Sequence, residues 1–148
     1  MPNLDPATIL LVEDDPADQK LIKLSLRSQR LANEVFCVSS GEEAFRFLHG
    51  EGEYQNSGSC PDLILLDLNM PGMGGKEFLR RIKLDETLKQ IPIVILTTSD
   101  AEEDILDSYK LQASGYVKKP VRLEDFRRVM ESIEAYWFLL CRRLPKEG

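Results

Sequence analysis

Short apolar runs alternate along the chain with longer stretches of helical period. The runs predict strands near Thr8 to Val12, Glu34 to Val38, Asp62 to Leu66, Ile93 to Thr97 and Gly115 to Val117. All but the second are continuous apolar or β-branched segments, as in strands covered on both faces. The intervening stretches predict helices near Pro16 to Ser28, Gly41 to Leu48, Gly75 to Lys83, Glu102 to Leu111 and Leu123 to Arg143. Their apolar positions recur three and four apart, such as Leu21 and Leu24 in the first helix and Phe45 and Leu48 in the second. A strand-helix unit repeated in this way builds a parallel sheet with helices on both faces.

The last predicted helix is longer than such a sheet needs. Leu123, Phe126, Met130, Ile133, Trp137, Leu140 and Leu144 keep a three-to-four spacing over a span of roughly 33 Å at about 1.5 Å per residue. A strand of about 17 to 20 Å cannot cover that stripe. Tyr136 to Leu144 is therefore expected to overhang the domain and to offer Tyr136, Trp137, Phe138 and Leu140 to a partner. Gly50 to Pro61 has no apolar period and reads as a surface loop. Without repeats or a linker, the chain is expected to be one domain with a core of about 8–134 and an extension of about 135–144.

Composition narrows the class. The chain has 148 residues and a formal charge of -6. The charge is uneven: residues 1–109 hold 10 Lys/Arg and 20 Asp/Glu, whereas residues 110–148 hold 9 and 5. Such an acidic chain repels phosphate backbones, so no nucleic-acid partner is expected. No apolar run approaches the roughly 20 residues that span a bilayer, and the polar start of the chain has no secretory layout. The expected location is cytoplasmic, without membrane association. Cys37, Cys60 and Cys141 are widely spaced and odd in number, which suits free thiols in a reducing compartment.

In an open parallel sheet, ligands gather beyond the carboxyl ends of the strands. The first predicted strand ends in ILLVEDD, delivering Glu13, Asp14 and Asp15, and the third ends in DLILLDLNMP, delivering Asp67. The fourth, IPIVILTT, delivers Thr97, and the fifth, GYVKKP, delivers Lys119. Crowded carboxylates need a positive charge between them, and oxygen-only ligation suits a hard cation such as Mg²⁺. Magnesium commonly binds one or two carboxylates together with a phosphate. Lys119 and the Thr97 hydroxyl are then placed to hold phosphoryl oxygens, while Asp67 serves as ligand and nucleophile in turn. Asp15 and Asp18, at the start of the first helix, read as groups that complement its dipole.

VEDD, LLDLNMPG, VILTTS and GYVKKP, in this order and at these separations, resemble the receiver domain of two-component response regulators over about residues 8–134. The resemblance implies a doubly wound, flavodoxin-like α/β fold with strand order 2-1-3-4-5. It implies phosphoryl transfer from a histidine kinase to Asp67. Asp14, Asp67 and the backbone carbonyl of Asn69 would ligate Mg²⁺, with Glu13 holding a metal-bound water. Thr97 and Tyr116 would form the switch that remodels the binding surface. The GEYQNS insertion, the LTTS run and the AYWF tail further resemble stand-alone receivers paired with phytochromes, which implies a phytochrome-type kinase, a homodimer and a possible downstream phosphotransfer protein.

Some positions depart from the family pattern. Glu13 stands where Asp is frequent, Gly74 replaces an Asp that caps the third helix, Val121 replaces Phe, and Thr98 is bulkier than usual. Each leaves the chemical groups of the site in place. Two other readings compete. A haloacid-dehalogenase-type aspartyl phosphatase carries its nucleophile after the first strand in a D-x-D pattern, unlike Asp67-Leu68-Asn69. A degenerate dimeric adaptor would have no need of Asp14, Asp67, Thr97 and Lys119 together. A DNA-binding regulator is disfavoured because no helix-turn-helix pattern follows the receiver-like part.

Overall fold

The computed structural model describes residues 8–29, 34–52, 60–68, 70, 72–97, 113–119, 122, 124, 125 and 128. Within them the element order is β1 (Thr8–Val12), α1 (Pro16–Gln29), β2 (Glu34–Val38), α2 (Gly41–Leu48), β3 (Leu63–Asp67), α3 (Gly74–Leu84), β4 (Ile93–Thr97) and β5 (Gly115–Lys118). The strands form one five-stranded sheet in the order β2-β1-β3-β4-β5, every pairing parallel. The expected helix over 102–111 and the overhang at Tyr136, Trp137, Phe138 and Leu140 lie outside the described residues.

Alternation along the strands sorts the core into two layers. Ile9, Leu11, Leu63, Leu65, Val94, Leu96 and Val117 pack on Ile22 and Leu26 of α1. Leu10, Val12, Ile64, Leu66, Ile93 and Ile95 pack on Ala44 and Phe47 of α2 and on Phe78, Leu79 and Ile82 of α3. Phe47 tilts against Phe36 with centroids 5.0 Å apart, and Phe45 against Phe78 at 4.8 Å. Full burial of one such side chain stabilises by about 1.5 to 3 kcal/mol, so both sheet faces contribute to stability. The edge strand β2 is only partly covered, which explains its mixed pattern. Among the described residues no helix is long and apolar enough to cross a membrane.

Two details of the sequence pattern resolve in the structure. Leu21 and Leu24 are 50% and 48% exposed, while Ile22 and Leu26 are buried. Two residues three apart cannot define a helical face alone, and the four-residue spacing of Ile22 and Leu26 sets the inward stripe. The third strand runs one residue later than predicted. Asp62 stays outside it, accepting a hydrogen bond from the Thr8 N–H through Oδ2 at 2.9 Å and donating its own N–H to the Thr8 carbonyl at 2.8 Å. In α2, Phe45 and Leu48 are partly buried flanks, and Gly41, Ala44 and Phe47 form the buried face.

Candidate functional site

Because every strand pair is parallel, all the carboxyl ends share one edge. Val12 pairs with Leu66, so Glu13 and Asp67, each one residue further, stand level at the ends of β1 and β3. Asp67 pairs with Leu96, and Thr97 with Lys118, which steps Thr97 and Lys119 just beyond Asp67. The rim thus follows from sheet register. Its neighbouring backbone is held tightly. The Glu13 N–H donates to the Val38 carbonyl at 3.0 Å, and Gln19 Nε2 donates to the Glu13 carbonyl at 2.6 Å. Asp15 caps α1, its Oδ1 accepting the Ala17 N–H at 2.9 Å.

Glu13, Asp67 and Lys119 are buried, and Asp14 is the more open member of the rim. One oxygen from each of Glu13, Asp14 and Asp67 lies within 4.8 Å of the others. Three carboxylates so close are a donor set that fits a divalent cation. Here Lys119 supplies the counter-charge: its Nζ donates a short hydrogen bond to Glu13 Oε1, lies 3.0 Å from Asp18 Oδ2 and 3.5 Å from Asp67 Oδ2. Burial, with Asp67 alongside, pushes the Glu13 carboxyl up to about 7 against the pull of Lys119. Burial also works against the Lys119 ammonium, but its hydrogen bonds to Glu13 and Asp18 and the charge of Asp67 outweigh that and raise it.

The β3–α3 connection is built for close approach. A Cβ on Gly75 would meet the Asp67 carbonyl oxygen at 2.4 Å and Leu68 Cα at 2.5 Å, so only glycine lets α3 start this near the rim. Met73 precedes the helix with no side-chain cap, and Gly74 is already the first helical residue, so the cap position is Met73 and not Gly74. Glu42 of α2 reaches across instead and accepts the Met73 N–H at 3.1 Å.

A profile of the family described as "Response regulator receiver domain" matches residues 9–131. The chain belongs to the response regulator receiver family. This receiver is 42% identical over 132 residues to the response regulator Rcp1 of Synechocystis sp., covering 89% of both chains. A crystal structure of the Mn²⁺-bound form of Rcp1 superposes with a TM-score of 0.74 at 44% identity, covering 89% of this receiver and 94% of that chain. The phosphorylated cyanobacterial phytochrome response regulator RcpA gives 0.76 at 45% identity, covering 90% and 95%. The bacteriophytochrome response regulator AtBRR gives 0.82 at 37% identity, covering 97% and 99%. The fold with its 2-1-3-4-5 sheet, the receiver family and the likeness to phytochrome-linked members are thereby established for this chain.

Among the site residues expected from the sequence, the receiver brings Glu13, Asp14, Asp67 and Lys119 together. Tyr116 pairs with Ile95, two residues before Thr97, and is half-buried against the α2–α3 layer. Asn69 and the Thr97 side chain lie outside the described residues. Asp18 is the member that sequence reading missed. Its place near the start of α1 suits the helix dipole, but it precedes Ile22 by four residues and Leu26 by eight, so it begins the same inward stripe. Extending that stripe one turn back would have found it. Cys37 and Cys60 are free thiols.

Proposed function

We propose that this receiver accepts a phosphoryl group on Asp67 from a phosphohistidine of a phytochrome-type histidine kinase, and that the resulting change in its surface is the signal. The observation that carries this reading is the burial of Asp67 at the end of the central strand β3, with a lysine ammonium and two further carboxylates around it. A carboxylate oxygen of Asp67 attacks phosphorus; the N–P bond of the donor breaks, its electron pair returns to the imidazole, and an acyl phosphate forms. Lys119 pairs with the transferred oxygens, and Thr97, at the end of the neighbouring strand, donates a hydrogen bond to them.

Glu13, Asp14 and Asp67 are the side chains to hold the cation, with the Asn69 carbonyl completing the set, and we assign it as Mg²⁺. Such a cation supplies neutralisation of the charge that builds on the phosphoryl oxygens. Phosphorylation adds about -1.5 to -2 charges, which draws Thr97 inward and lets Tyr116 turn after it. Hydrolysis of the acyl phosphate, by water attack at phosphorus within the same rim, resets the receiver. The free thiols at Cys37 and Cys60 suit action in the cytoplasm.

The test is labelling by a phosphohistidine donor in the presence of Mg²⁺. Asp67→Asn abolishes it; undiminished acid-stable label elsewhere would overturn the assignment. We further propose that the chain forms one receiver unit whose extended last helix makes a homodimer through Tyr136, Trp137, Phe138 and Leu140, and that a phosphotransfer protein can receive the group from Asp67. Trp137→Ala with Leu140→Ala then shifts the mass by light scattering toward monomer, with and without beryllofluoride; an unchanged mass would remove the interface.

A further inference from the structure

The Lys119 ammonium faces a conflict of partners. Two of the carboxylates it touches, Glu13 and Asp67, belong to the group suited to a cation, so lysine and metal compete for the same oxygens. The third, Asp18, stands outside that group and is the nearer of the two longer contacts, 3.0 Å against 3.5 Å to Asp67. Asp18 is also set on a rigid support. It shares the inward stripe of α1 with Ile22 and Leu26, which are anchored in the core, and its side chain is only 28% exposed.

We propose that Asp18 is a positioning residue for Lys119: it holds the ammonium on the α1 side of the rim, so that Glu13 and Asp67 are released to a divalent cation while Lys119 stays within reach of Asp67. When phosphoryl oxygens arrive, Lys119 exchanges Asp18 for them. Asp18 thereby tunes both how readily the rim loads and how firmly the phosphoryl group is held. This inference rests on the assignment of Glu13, Asp14 and Asp67 as the cation ligands.

Competition fixes the signs. Without the Asp18 charge, Lys119 keeps Glu13 and Asp67 as its anionic partners among the described residues, binds them more firmly and competes better with the cation. Asp18→Asn should therefore weaken Mn²⁺ binding, counted as free Mn²⁺ by electron paramagnetic resonance, by about fivefold, within the range measured for residues sharing one salt-bridge network. Lys119→Met removes the competitor and should tighten Mn²⁺. In the Lys119→Met background, the further change Asp18→Asn should cost less than about twofold, leaving only screened long-range attraction. Asp18→Glu, which keeps the charge, should recover part of the affinity.

An equal loss from Asp18→Asn in both backgrounds would mean that Asp18 acts on the metal directly and would overturn the proposal. So would wild-type affinity in Asp18→Asn, or failure of Asp18→Glu to recover any of the loss. A wild-type protein that takes up no Mn²⁺, indistinguishable from Asp14→Asn, would remove the cation assignment and this inference with it. Binding by the wild type that Asp14→Asn weakens, with no effect of Asp18→Asn, would remove the inference alone.

Discussion

Two clusters of ion pairs in this receiver differ more in surroundings than in contacts. On the outer face of α3, Glu77 bonds Arg80 at 2.6 and 3.1 Å and Arg81 at 2.7 Å. At the sheet edge, Lys119 touches Glu13, Asp18 and Asp67. A glutamate in each cluster has a basic partner, yet the two are driven in opposite directions. The hydrogen bonds from Arg80 and Arg81 pull Glu77 down to about 2, whereas burial and the neighbouring Asp67 push Glu13 up to about 7 despite Lys119. Contacts alone do not give a charged cluster its role. Removal from water makes the rim costly to hold together and ready to trade partners, while water around α3 makes its well-formed bonds nearly neutral.

The largest test of this difference is Lys119→Met without metal. Taking one partner from a buried ion network leaves charge uncompensated, which costs about 3 kcal/mol. The urea midpoint should fall accordingly, and a divalent cation should restore more than half of the loss by replacing the missing positive charge. An unchanged midpoint would mean that the rim relieves itself by taking up a proton, and the contrast with α3 would be much weaker.

Next in size is Gly75→Ala, because α3 belongs to both regions: its start abuts the rim and its outer face carries Glu77. The added Cβ would overlap the Asp67 carbonyl and Leu68 Cα, both backbone atoms that cannot swing aside. Overpacking of this kind costs about 2 kcal/mol, and displacement of β3 should also slow labelling of Asp67. If thermal unfolding and labelling both matched the wild type, α3 would not fix the position of the rim.

The fold was legible because its signals are local. Continuous runs such as Ile9 to Val12 and Ile93 to Leu96 read as buried strands, and the helices between them required the parallel order. Glu13, Asp14, Asp67 and Lys119 were legible because strand ends in a parallel sheet meet at one edge. What was not legible depended on which way a helix is rotated. The spacing of Leu21 and Leu24 marks a helix without fixing its rotation, and the rotation that α1 takes both exposes them and brings Asp18 to Lys119. The grip of Glu42 on Met73 was hidden for a related reason, since it joins residues 31 apart in sequence and no spacing rule connects them.

The smallest effect is expected from Glu77→Gln. Its folded value lies below the usual glutamate value of 4.5, so whatever the Glu77 network contributes is present above that value and is lost as pH falls through about 2. At neutral pH the contribution is therefore complete, yet the side chains of Arg80 and Arg81 are each 53% exposed and salt screens the pairs. Chemical denaturation at pH 7 should place the variant barely below the wild type, with the gap closing in concentrated salt and again toward pH 2, where wild-type Glu77 is itself half protonated. A loss as large as that of Lys119→Met, insensitive to salt, would show that the outer face of α3 is held by forces other than solvated ion pairs, and the distinction between the two clusters would fail.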